Sequence, residues 1–233
     1  MPWSGAASMS CQPGSSLEED KAFLLLALHS SSETLGVAVQ DCRDPKTSRR
    51  TATFPLGRGL SNSLLNCVEE LLPAASWPQL ARLAVAIGPG GFTGTRLTVV
   101  MARTLAQQLG CSLDGVSSFA LMAPRLAVAL SHEQMEQPFW IVKSLPRRGT
   151  VAGRYQLQMA ADVGAAKAVV ELESPHLLAE DFKAFPALDA QDDVAKDVEH
   201  LLELCAVAHS LGQEVAWTDV LPVYPTSPVV VSS

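Results

Sequence analysis

An α/β fold that leads with strands is predicted by three observations on this chain of 233 residues. Short β-rich runs come first, at residues 23–28, 34–39 and, more weakly, 51–54. The apolar spacing then changes to a helical period over residues 60–72. After that, apolar runs and helical stripes alternate, and a glycine-rich loop joins the first such strand to its helix.

Each element has its own signal. The first two runs are linked by the short polar stretch 30–33, so they predict a hairpin that residues 51–54 extend to three antiparallel strands. Leu60, Leu64, Val68 and Leu71 or Leu72 recur at helical spacing, Leu65 widens the stripe, and Pro73 ends it. Residues 83–87 form a short apolar run bounded by Gly88, which reads as a buried strand. A helix over 95–109 follows, with Gly110 as its stop. Residues 112–116 read as a strand and 119–130 as a helix kinked at Pro124. Three strands followed by alternating helix and strand is the order of a ribonuclease-H-like unit, and order alone assigns no function.

Past Gln137 the pattern is less regular. Strands are expected at 139–142, 151–157 and 168–172, and a helix at 192–211 with Val194, Val198, Leu201, Leu202, Cys205 and Ala208 on one face. The division expected is a disordered Ser/Gly/Pro-rich extension at 1–20, a ribonuclease-H-like lobe at 21–132 and a smaller α/β lobe at 133–233. Pro222, Pro225 and Pro228 suggest an extended tail.

Composition narrows the function classes. With 48% apolar and 18% charged residues the chain reads as a globular protein. The apolar run at 23–28 is too short for a membrane span and follows three acids, so the cytoplasm is the expected location. The five cysteines form no C-x-x-C pair and the five histidines no metal spacing, which argues against disulfides and structural zinc. A net charge of −7 repels phosphate backbones, so tRNA contact is expected only through a partner.

The informative motif is Gly88-Pro89-Gly90-Gly91-Phe92-Thr93-Gly94-Thr95-Arg96, between a strand and a helix. Amides at a helix start can receive a phosphate. Yet Thr93 stands where G-x-G-x-x-G needs its third glycine, and no lysine follows as in a Walker loop, so a plain tight turn is the stronger generic reading. Arg96 points the other way, because a cation in the first helical turn opposes the macrodipole unless an acid or phosphate faces it.

Taken with residues 83–87, this loop closely resembles the G-P-G-S-F-T-G-x-R signature of the bacterial TsaB family, which acts in threonylcarbamoyladenosine formation on tRNA. Residues 24–39 resemble that family's opening strand pair and 109–123 its next strand and helix. In the second half only Arg147-Arg148-Gly149 and Pro222-Val223-Tyr224 carry the resemblance. It implies an actin-like (ASKHA) fold and a non-catalytic dimerisation and scaffold subunit. Its implied partners are a TsaD-like threonylcarbamoyltransferase, a TsaE-like ATPase, and TsaC as maker of the threonylcarbamoyl-adenylate donor. It implies no cofactor of the chain's own, leaving ATP or ADP at the heterodimer junction as an open question. Family members pair through N-terminal helices, which places the interface on Leu60, Leu64, Val68, Leu71, Leu72, Arg96, Val99 and Val100, a surface that a homodimer could also use.

Three departures remove polar groups from the family pattern. An I-D-T opening has His29 in place of its acid, an R-x-H-S stretch reads Arg58-Gly59-Leu60-Ser61, and a D-A-R-x-G-E stretch reads Leu145-Pro146-Arg147-Arg148-Gly149-Thr150. They count against the alternatives, a stand-alone ATP-binding enzyme of the sugar-kinase-like class and a glycoprotein-directed peptidase. His29 is expected to be a hydrogen-bonded structural residue at a strand end, and His132, His176, His200 and His209 surface or helix-face residues. Arg147 and Arg148 read as a solvated loop or a small anion site. No G-x-S-x-G or Cys/His pattern marks a nucleophile.

Overall fold

A computed structural model describes residues 22–158 and 168–225. The expected extension at 1–20 lies outside the described residues. Strands β1 (Leu24–His29), β2 (Thr34–Asp41) and β3 (Arg50–Pro55) are antiparallel neighbours. Helix α1 (Leu60–Leu71) leads to β4 (Leu80–Ala86), which lies parallel to β1. Helix α2 (Phe92–Leu109) crosses to β5 (Ser112–Val116), parallel to β4, giving the order β3-β2-β1-β4-β5.

Burial explains why β1 reads as an unbroken apolar run: it is covered on both faces. Leu24, Leu26 and Leu28 join α1 and α2 in one core, and Leu25 and Ala27 meet a helix on the other side. The two crossover helices end as their sequences dictate. Leu72 leaves the helical conformation before Pro73, and Gly110 closes α2 in the left-handed region at φ 64°.

Helix α3 (Ser118–Leu126), capped by the Ser117 side chain, contains Pro124 and passes into a short 3-10 turn, and α4 (His132–Met135) follows. A second sheet is built from β6 (Phe139–Leu145), β7 (Gly149–Gln158), β8 (Ala168–Leu177) and the three-residue β9 (Ala187–Asp189), ordered β8-β7-β6-β9. Phe119, Met122 and Leu126 of α3 pack with Phe139, Ile141 and Tyr155 as its core.

Two segments lie elsewhere than the division at residue 132 implies. Helix α5 (Val194–Ser210) belongs in sequence to the second half, yet Val198, Leu201, Leu202 and Cys205 pack on Leu25, Ala27, Ala38 and Ala84 of the first sheet. The bidentate pair from Arg125 to the buried Asp197, at 2.8 and 3.0 Å, ties it to α3. The chain after α5 also returns to the first sheet, with Val220 buried in its core.

The α1 stripe is core. Leu60, Leu64, Val68, Leu71 and Leu72 are all buried in the monomer, and Leu65 stands out at 54% exposed. Leu64→Glu is therefore expected to lower stability by about 3–5 kcal/mol, the scale of an uncompensated buried charge, and Leu65→Glu to change it by less than about 0.5 kcal/mol. Urea midpoints of the two variants check this, and equal midpoints would contradict the assignment.

Candidate functional site

The parallel strands β1, β4 and β5 end along one crest, where ligands of open α/β sheets bind. Residues 88–91 leave β4 there, with Gly88 at φ 93° and the Gly88-Pro89 bond cis. Helix α2 starts at Phe92, three residues earlier than its apolar pattern suggests, so Phe92, Thr93 and Gly94 form its first turn. Apolar periodicity does not register those three small or exposed positions.

The glycines are required by contact. A β-carbon on Gly90 would lie 2.0 Å from the Ser31 carbonyl oxygen, and one on Gly94 would lie 2.7 Å from that of Ser30. Neither residue is among the glycines at positive φ, so close approach, rather than left-handed geometry, excludes side chains there. The Gly91 N–H donates to the Ser31 carbonyl at 2.6 Å and the Ser118 N–H to that of Gly88 at 2.7 Å, and the Ser118 hydroxyl donates to the Ser31 hydroxyl. Ser30 shares a further bond with Thr98 at 2.8 Å. The Gly91 amide is thus already spent, and the turn after β1 fills the space beside Gly90.

Arg96 has an aromatic partner in place of the acid or phosphate its position calls for. Its Nε donates to the Tyr224 hydroxyl at 2.6 Å, and its guanidinium carbon lies 4.0 Å from the Phe92 ring centroid and 5.0 Å from that of Tyr224. The two rings are 5.3 Å apart. Residues 213–224 form the strap that brings Tyr224 there. Arg82 and Arg103 donate to the carbonyls of Gln213 and Val220, and the Val223 N–H donates to that of Ile87 at 2.8 Å. The signature loop and the closing Pro222-Val223-Tyr224 are one clasp, joined by a contact across 128 positions that local pattern could not show.

His29 is buried as expected, but both of its ring nitrogens lack a hydrogen-bond partner among the described residues. Burial holds its imidazole below the usual histidine range; Asp197 and Asp192 oppose this and Arg125 adds to it. His132 and His176 are exposed, and His200 and His209 are half-buried on α5. Tyr155, also buried, sits 3.3 Å from the Ser117 hydroxyl and from Glu171, and burial followed by the charge of Glu171 raises its phenol. Among the described residues no three His, Cys, Asp or Glu side chains gather as a metal would require.

Of the eight interface residues expected, Leu60, Leu64, Val68, Leu71, Leu72 and Val99 are spent on the monomer's own core. Arg96 is exposed but engaged by Tyr224, and Val100 is 62% exposed. On the helix pair, apolar surface remains on the outer side, in a groove of about 450 Å³ whose lining includes Leu65, Leu97, Val100, Leu105 and Trp77. Leu65 was visible in the sequence as the residue that widened the stripe.

A two-sheet α/β protein with strand order β3-β2-β1-β4-β5 and a glycine turn at the crest falls in the sugar-kinase-like (ASKHA) fold class. The family model described as TsaD, tRNA N6-adenosine threonylcarbamoyltransferase, matches residues 56–174. The tRNA threonylcarbamoyladenosine biosynthesis protein TsaB of Bacillus subtilis (strain 168) is 35% identical over 101 residues, 42% of this chain and 43% of that protein. The aligned stretch thus spans less than half of that relative. Two solved Pseudomonas aeruginosa structures, each 25% identical, align over their whole length. A protein with similarity to peptidase YEAZ has TM-score 0.66 over 88% of this chain, and YeaZ has 0.61 over 86%. The chain belongs to the TsaD family, as one of its TsaB-type members.

Two outcomes follow from this geometry. Gly90→Ala forces its methyl group into the Ser31 backbone and is expected to cost about 3 kcal/mol, the upper part of the overpacking range, read as a fall in melting temperature. An unchanged melting temperature would show that the loop is not held by this contact. For His29 the folded-state pKa lies below the unfolded value of about 6.5, so its contribution is complete above pH 6.5 and is lost as pH falls toward the folded value. Urea unfolding between pH 7.5 and 5.5 is expected to show stability falling on the acid side by at most about 1.4 kcal/mol per pH unit. His29→Asn should flatten that slope, and an unaltered slope would contradict the assignment.

Proposed function

We propose that the chain acts in the biosynthesis of threonylcarbamoyladenosine on tRNA as a non-catalytic subunit. In this reading it docks a TsaD-like threonylcarbamoyltransferase through the outer face of α1 and α2 and keeps it competent. The observation that carries the reading is an apolar strip on two helices whose inner faces are already filled, with Leu65 and Val100 exposed and Leu97 and Leu105 half-buried between them and the core. A family relative with the same fold offers a matching helix pair, so that four helices pack and bury strips neither subunit covers alone. Support also comes from the loop, where a family signature serves backbone packing. A TsaE-like ATPase joins the pair, tRNA is reached through the complex, and self-association on the same face competes with the partner.

Leu65→Glu and Val100→Glu place unpaired charges in that contact. Each is expected to leave the monomer folded and to weaken binding of a TsaD-like subunit at least tenfold, about 1.4 kcal/mol or more. Titration calorimetry with the purified partner checks this, and normal binding by both variants would place the interface elsewhere. ATP hydrolysis by the chain alone that vanishes in Arg96→Ala would favour the sugar-kinase-like reading instead.

A further inference from the structure

The Arg147-Arg148 turn and Lys143 are not used by partner docking, and both Lys143 and Arg148 face a cavity of about 500 Å³ between the clasp and the β6–β7 hairpin. Three rings stand in its wall: Phe92 from α2, Phe119 from α3 and Tyr224 from the strap. Among the described residues that line it, Lys143 and Arg148 are the charged ones and both are positive, in a chain of net charge −7. The pattern of apolar walls with a few convergent polar groups is that of a small-molecule site, and the volume falls in the usual range.

The two cations differ in what they already do. Lys143 reaches Asp192 at 3.5 Å, a loose exposed pair, and the Arg148 guanidinium has no hydrogen-bond or ion-pair partner among the described residues. Thr95, another wall residue, is 3% exposed, and its hydroxyl has no partner either. A buried polar group in that condition marks a place where something further completes the set. The positive end of the eighteen-residue α2 opens beside it, since Gly90 and Phe92 also line the cavity.

We propose that this cavity binds a small organic anion, a flat ring carrying a phosphate or a carboxylate. The rings of Phe92, Phe119 and Tyr224 would accept the flat body, and Lys143 and Arg148 would take the anionic head. No residue of the outer α1–α2 face takes part, so this binding and partner docking can fail independently.

The test titrates the full chain with four probes, AMP, adenosine, benzoate and inorganic phosphate, followed by calorimetry and by amide chemical shifts of residues 143–151. At least one of AMP and benzoate is expected to bind saturably below about 1 mM, at least tenfold tighter than adenosine or phosphate alone. Which of the two binds more tightly distinguishes a phosphate head from a carboxylate. Arg148→Gln, at an exposed position, should keep the wild-type melting temperature and weaken that binding at least threefold, and Lys143→Gln should act in the same direction. Failure of both AMP and benzoate to saturate, or an effect of Arg148→Gln below threefold, overturns the proposal.

Discussion

The contact on which the crest depends is the approach of two backbones with no side chain between them. Gly90 and Gly94 lie against the carbonyls of Ser31 and Ser30 so closely that even a methyl group has no room. From this follow the bond from Gly91 to Ser31, the seating of α3 through Ser118, and the start of α2 at Phe92. Because α2 starts there, Arg96 comes within reach of the strap, and Tyr224 closes the clasp over Phe92. A loop that in other α/β proteins admits a phosphate here admits a neighbouring strand end.

Much of the fold was legible because its signals are local. The change of period at Leu60, the stop at Gly110 and the apolar run of β1 each arise within a few residues, and the structure places the corresponding elements within a few positions of where those signals fall. What could not be read depends on contacts between distant parts of the chain. Helix α5 shows an apolar face in the sequence, but nothing in that face says which sheet it covers. Its partner is the first sheet, where Leu25 and Ala27 of β1 need cover on their second side. The short β9 has no periodicity to show, and it is a strand because residues 187–189 run beside β6.

The candidate site was legible as a motif and not as an arrangement. The signature residues 88–96 were the right place to look, and they form a tight turn as read, but the reason for Gly90 and Gly94 is packing against the Ser31 and Ser30 carbonyls, which the spacing does not show. Arg96 was singled out correctly as needing a partner, which proved to be an aromatic pair supplied from Tyr224 and Phe92. For the interface, helical spacing identified the strongest apolar stripe, and strength of that kind marks core: Leu64 and Val68 are buried, and Leu65 one position away is not. His29 stands where the family pattern has an acid, with a ring that finds no hydrogen-bond partner among the described residues, which side-chain identity alone did not reveal.

These features fit a protein whose crest has been given over to holding its own parts together while its two crossover helices keep an apolar strip outward. The measurement that bears most directly on this division of labour is amide hydrogen exchange of the chain with and without a TsaD-like subunit. Slowed exchange at residues 61–66 and 97–105, with residues 88–94 equally protected in both samples, is the predicted result. Protection gained at residues 88–94 and 221–225 on binding, with the α1–α2 face unchanged, would contradict it.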